Sequence, residues 1–173
     1  NADVEFGYFV DTVIGDTPNA IRVFSQTTDI STFELVSGEF PTKSNEVALA
    51  ETMADQYKIG DTIRLNESGS STLLKEHEFT ITGFVQSSEI LSNTIKGVSS
   101  AGSGDLSGFA VVPKDAFDSE VYTIARLRYP ALRKWKTTSR EYSDKVTELQ
   151  QALEEKLADN GTARLDSLKT TAD

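Results

Sequence analysis

An α+β fold is what this sequence predicts, and three observations carry the prediction. Ile63 and Leu65 alternate with Thr62 and Arg64, and Phe79, Ile81 and Val85 alternate with Thr80 and Thr82. That is the period-two signature of a half-buried sheet. Residues 121–129 are rich in β-branched and aromatic side chains and stop at Pro130, as a strand does. Later, Tyr142, Val146, Leu149, Leu153 and Leu157 recur at three- and four-residue steps with charges elsewhere, the pattern of an amphipathic helix.

Taken in order, residues 4–14 read as a first strand, and 15–19, with Gly15, Pro18 and Asn19, as a turn. Ile21, Val23 and Ser25 alternate with Arg22 and Phe24 in a second strand, so the two are predicted to form a hairpin. Polar residues 27–32 lead to Phe33 and Leu35, and 36–41 form a turn. Residues 45–50 are a short apolar strand that runs into a helix of one and a half turns. Its buried face is predicted to hold Ala50, Met53, Ala54 and Tyr57. Gly60 stops that helix where a left-handed backbone is needed, with Lys58 near the negative end of its dipole. Residues 66–78 are expected to be an exposed hairpin tip, and 109–112 another strand.

In 121–129, Val121, Thr123, Ala125, Leu127 and Tyr129 share one face, with Arg126 and Arg128 on the other. Thr138 and Glu141 fit a capping box for a helix from 139 to 158, within an amphipathic segment 139–160 that Asn160-Gly161 closes. The helix is predicted to pack its stripe on the sheet; the alternative is the root of a helical hairpin or coiled coil continuing past Asp173. The expected architecture is a mixed sheet from 4–14, 21–25, 109–112 and 121–129, backed by that helix. Residues 36–87 would sit at one end as a small strand-rich inserted subdomain.

The stretch SGEFPTKSNEVALAETMADQYKIGDTIRL, followed by FTITGFV, carries a family pattern at Gly38, Pro41, Asn45, Glu46, Val47, Gly60, Asp61, Thr62, Ile63 and Gly83. It resembles the extracytoplasmic core domain of MacB-like and FtsX-like ABC transporter permeases. Residues 109–112 and 113–117 resemble that family's return strand and short helix, so the likeness covers about residues 33–130. It implies a two-lobed domain on the extracellular side of the cell membrane, tethered by transmembrane helices outside this sequence. It also implies a non-catalytic role with no cofactor, in which movement driven by a separate cytoplasmic ABC ATPase is passed to an extracellular substrate or partner protein. A second copy of the permease is a further implied partner, and the isolated domain is expected to be monomeric. A rival reading is a secreted or cell-surface ligand-binding or adhesion module, and a third is a hydrolase built on an acid pair.

The 173 residues suffice for one domain with a proper core. Composition is that of a globular chain, and the longest apolar runs span only a few residues, so no transmembrane helix is expected. The chain lacks an initiating Met, and Asn1-Ala2 has the look of a cloning scar; the sequence is expected to be a piece of something longer. Twenty-seven acidic residues against seventeen basic give a net charge of −10, which disfavours general nucleic-acid binding. With no cysteine there are no disulfides, thiolate nucleophiles or cysteine-ligated metals.

The candidates for chemistry are few. His77 sits in a charged segment and reads as an exposed surface histidine, without a second histidine to share a metal. Glu46 and Asp61 are expected to cap backbone amides rather than to catalyse. Residues 87–108 lack a clear period, and their centre, with Gly97, Gly102, Gly104 and Asp105, reads as a flexible solvated linker. A partner-binding or gating loop is the alternative. A basic run holds Arg126, Arg128, Arg133, Lys134, Lys136 and Arg140 around Trp135. It reads as an ordinary basic loop, or alternatively, at Arg133, Lys134, Trp135 and Lys136, as a patch facing anionic lipid headgroups.

Overall fold

In the computed structural model, which describes residues 2–67, 72–90, 97–99, 101–160 and 163, a mixed sheet of seven strands holds the core. Its strands are β2 (Phe9–Ile14), β3 (Ala20–Ser25), β4 (Phe33–Gly38), β5 (Glu46–Ala50), β6 (Thr62–Glu67), β7 (Glu78–Ser87) and β8 (Leu106–Val112), in the spatial order β4-β7-β5-β8-β3-β2-β6. Two further strands, β1 (Asp3–Gly7) and β9 (Ile124–Arg128), make a ribbon of their own. One α-helix is present among the described residues, α1 (Arg140–Leu157). The α+β class follows.

The sheet curls on itself. β7 is the longest strand, with ten residues, and its two halves have different neighbours. Thr62↔Thr80 and Arg64↔Glu78 tie its start to β6, while Gly38↔Gly83 and Phe33↔Ser87 tie its end to β4. β7 thereby closes β5, β8, β3, β2 and β6 into a barrel and carries β4 as a flap. Two of the pairings are parallel, β5 with β7 and β3 with β8. Strands so placed are covered on both faces, and β5 and β8 read accordingly as apolar runs, with Val47–Ala50 and Gly108–Val112 buried. Where one face meets solvent the alternation survives: Phe79 and Ile81 are buried between half-buried Thr80 and Thr82, and Ile63 and Leu65 between exposed Thr62 and Arg64.

The segment 36–87 supplies half of β4 and all of β5, β6 and β7, which flank the β8-β3-β2 block on both sides. The expected first strand is broken at Tyr8, whose side chain turns into the core while Gly7 lies against β3. The β2–β3 hairpin forms as predicted, with Phe9↔Phe24 and Val13↔Ala20 in register. The expected helix after residue 50 is a single 3₁₀ turn, Glu51–Met53, followed by turns. Three residues suffice to bury Ala50 and Met53, while Ala54 is exposed.

The chain divides into two compact units, Val4–Arg128 and a second built on residues 129–160 with the first residues of the chain. In the second unit α1 is capped by Ser139, whose hydroxyl accepts from the Tyr142 amide at 3.2 Å; the sequence places the cap one residue earlier, at Thr138. No residue of α1 is buried. Its stripe is half-exposed, and Val146, Leu149 and Leu153 border a cavity of about 80 Å³ with Tyr129 and Leu132. α1 ends at Leu157, before the expected closing pair Asn160-Gly161, of which Gly161 lies outside the described residues, as does a continuation past Asp173.

Candidate functional site

The family-pattern residues converge on the join between β4, β5 and β7. Gly38 and Gly83 face each other across the β4–β7 pair, and both must lack a side chain. A Cβ on Gly38, whose φ is +76°, would lie 2.2 Å from the Thr82 carbonyl oxygen, and one on Gly83 would lie 2.6 Å from that of Glu39. The Glu39 amide donates to the Thr82 carbonyl at 2.9 Å and the Thr82 hydroxyl to the Glu39 carbonyl at 3.0 Å, which locks the crossing. Buried Pro41 follows directly.

Glu46 opens β5 and folds its carboxylate back over the preceding turn. It accepts from the Thr42 amide at 2.9 Å, the Lys43 amide at 3.1 Å and the Lys43 ammonium at 2.8 Å. The Lys43 ammonium first, then the two amides, hold its pKa down to about 2. The Asn45 carbonyl accepts from the Thr80 amide at 2.9 Å and sets the register of β5 on β7. Asp61 closes the turn before β6 by accepting from the Lys58 amide at 2.9 Å. Gly60, at φ +94°, donates to the Ile81 carbonyl at 2.8 Å. Each of these polar groups is engaged in holding backbone.

The glycine-rich centre of 87–108 is a tight turn where it is described, rather than a flexible linker. Val98 bridges Asp105, the Ser99 amide donates to the Gly104 carbonyl, and the Leu106 amide donates to the Gly97 carbonyl. Gly97, Gly102 and Gly104 all have positive φ. Ala101 is buried beside Ala20 and Leu106, and the Ser103 amide donates to the Pro18 carbonyl at 3.1 Å, so the turn is pinned to the β2–β3 connection. Residues 91–96 and 100 lie outside the described residues.

The basic run divides. Arg126 is buried, not exposed, and pairs with Glu89 through Nε at 2.5 Å and Nη2 at 3.1 Å. Arg128 donates to the Asp29 carbonyl at 3.0 Å. Leu127, on the opposite face of β9, is the exposed neighbour, so the faces of 121–129 are the reverse of what apolar content alone suggests. Arg133, Lys134 and Lys136 are exposed around a half-buried Trp135, with the Lys134 ammonium 4.1 Å from the indole centroid. His77 is half-buried rather than exposed, its Nδ1 3.3 Å from the Leu65 carbonyl oxygen.

Sequence reasoning did not anticipate the open cleft where β5 and β7 end. Ala50, Glu51, Thr52, Gln86, Ile90 and Phe109 are among its lining residues, around a volume of about 510 Å³. At its rim the Gln86 side-chain amide donates to the Glu51 carboxylate at 2.5 Å. Its walls come from three separated segments, and no local pattern joins them. Glu5 was missed as well: burial pushes its carboxyl up, but the amides of Thr28, Ile30 and Asp29 outweigh that and leave it below the ordinary carboxylate value. Among the described residues no group of three or more histidine, cysteine or acidic side chains is placed to hold a metal, and no helix is long and apolar enough to cross a membrane. No family model, curated protein or solved structure matches the chain.

Proposed function

We propose that this chain is the extracytoplasmic domain of an FtsX/MacB-like ABC transporter permease. In this reading it is non-catalytic and passes movement driven by a cytoplasmic ATPase to an extracellular substrate or partner protein. The observation that carries the reading is the family pattern itself, supported by where its residues stand. Gly38, Gly83, Glu46, Gly60 and Asp61 gather at one join in the barrel and are engaged in backbone geometry. A frame of that kind suits a body that moves as a whole.

The test uses the full-length gene product purified with the ATPase encoded beside it. A spin label placed by Val98→Cys, at a side chain 77% exposed in a chain without cysteine, reports on the domain. Its spectrum changes when ATP is replaced by a non-hydrolysable analogue if the domain is coupled to the ATPase. A spectrum indifferent to nucleotide, with no ATPase retained on purification, counts against the proposal.

A second reading, a secreted or cell-surface ligand-binding module, is favoured by the cleft beside Phe109. Clefts of a few hundred Å³ at the mouth of a barrel are common ligand sites, and this one joins an apolar wall at Ile90 and Phe109 to polar groups on Glu51 and Gln86. Titration with small-molecule panels, lost on Phe109→Ala, would favour it over the first.

A further inference from the structure

β1 and β9 pair with each other and with no strand of the barrel. Besides the chain's own passage into β2 at Tyr8, whose carbonyl accepts from the Ser25 amide at 3.0 Å, what fixes this ribbon to the rest of its unit is a set of side-chain bonds. Glu5 reaches the loop after β3, where its carboxylate accepts from the amides of Thr28 at 2.7 Å, Asp29 at 3.1 Å and Ile30 at 2.7 Å. Three successive amides aimed at one carboxylate make an anion nest. The loop turns at Ser31, a non-glycine residue with φ +56°.

On β9, Arg126 buries its guanidinium against Glu89 just past the end of β7, 5.5 Å from the Phe24 ring centroid. Its Nη1 is buried with no partner among the described residues. Between the two anchors, Gly7 brings the ribbon directly onto β3. A Cβ there would stand 2.8 Å from the Ser25 hydroxyl, which itself accepts from the Tyr8 amide at 2.9 Å. The Thr123 hydroxyl accepts from the Phe9 amide at 2.6 Å, the Lys114 ammonium donates to the Phe6 carbonyl at 3.0 Å, and Arg128 donates to the Asp29 carbonyl at 3.0 Å.

Little apolar burial helps the ribbon's outer side. Val4 is 49% exposed, Phe6 51% and Leu127 37%. A segment held mainly by polar bonds, with its outer apolar side chains half-exposed, belongs to the low-stability end of a fold and opens before the core does.

We propose that Glu5 in its nest and the Glu89–Arg126 pair form a releasable clasp, so that the β1–β9 ribbon detaches from a barrel that stays folded. Its use rests on the permease reading: the ribbon holds the first and last strands of the described chain, the natural route for movement to enter the barrel. Its existence is a property of the isolated chain and is tested there.

Hydrogen exchange followed by mass spectrometry compares the wild-type chain with Glu5→Gln, Glu89→Gln and Gly7→Ala. Losing a hydrogen bond to a charged group corresponds to roughly a 10- to 150-fold change in an opening equilibrium. Amides of 3–7 and 124–128 should therefore exchange at least about tenfold faster in Glu5→Gln, while those of β3, β5 and β8 keep wild-type rates. Gly7→Ala leaves both carboxylates in place; its Cβ would stand 2.8 Å from the Ser25 hydroxyl and 3.5 Å from Arg126 Nη1, and it should give the same local signature by crowding. Ribbon amides that exchange at the wild-type rate in all three variants overturn the proposal. So does faster exchange of ribbon and barrel together, which would make them one cooperative unit. Neither outcome bears on whether the parent protein is a permease.

Discussion

Placing a methyl group at Gly83 drives it into backbone from two directions. The new Cβ would stand 2.6 Å from the Glu39 carbonyl oxygen, 2.7 Å from that of Ser37 and 3.0 Å from the Glu39 nitrogen. None of these atoms can swing away as a side chain would. The β4–β7 crossing must spread, which sacrifices the Glu39 amide bond to the Thr82 carbonyl, 2.9 Å in the wild type. Overpacking of a tight site costs about 1–3 kcal/mol and the lost bond about 1 kcal/mol more, so Gly83→Ala should destabilise by about 2–4 kcal/mol. For a chain of this size that lowers Tm by about 5–15 °C.

Gly60→Ala is the matched control. Gly60 has φ +94°, but nothing lies within 4 Å of the place its Cβ would take, so the substitution carries backbone strain alone. That is worth about 1–2 kcal/mol, a fall of about 2–8 °C. Thermal unfolding followed by circular dichroism measures both. A Gly83→Ala variant as stable as Gly60→Ala would refute the claim that the glycine pair exists for close approach.

Three further outcomes are expected. Glu46 has its pKa lowered to about 2 from 4.5, so its stabilising contribution is complete above pH 4.5 and is lost as pH falls through about 2. The Tm gap between wild type and Glu46→Gln, kept small by solvent screening, should close across that window; a gap constant from pH 7 to pH 2 would contradict the assignment. Thr12 is fully buried and its hydroxyl has no partner among the described residues, so Thr12→Val should raise Tm, by about 2–4 °C for about 1 kcal/mol. An unchanged or lower Tm would mean the hydroxyl is satisfied. Ser139→Ala removes the N-cap of α1 and should cost that helix about 1 kcal/mol, read as lost ellipticity at 222 nm; unaltered ellipticity would show that the cap is dispensable.

Much of the barrel was legible because its strands advertise themselves in different ways. β6 and β7 alternate because one face meets solvent, while β5 and β8 are continuous apolar runs because both faces are covered. Other features depend on contacts that no local pattern records. Alternation in 121–129 shows that two faces exist but not which is buried. Arg126 goes inward because Glu89, far away in sequence, receives it. The glycines of 97–105 look like a flexible stretch, yet their positive φ values build a turn that Pro18 then holds. At the candidate site Gly38 and Gly83 stood out only through the family resemblance; the close crossing that requires glycine there is set by the β4–β7 pairing. The cleft could not be read from the sequence, because Glu51, Gln86 and Phe109 meet only when β5, β7 and β8 are laid side by side.

The proposal that this domain works outside a bilayer as part of a membrane permease is tested most directly by labelling. The full-length protein, freed of any cysteines and carrying Val98→Cys, is expressed in its source cells, converted to spheroplasts and treated with a membrane-impermeant maleimide. Labelling of intact spheroplasts, with the protein retained in membranes after carbonate extraction, is the predicted result. Labelling only after lysis, or release of the protein by carbonate, would contradict it.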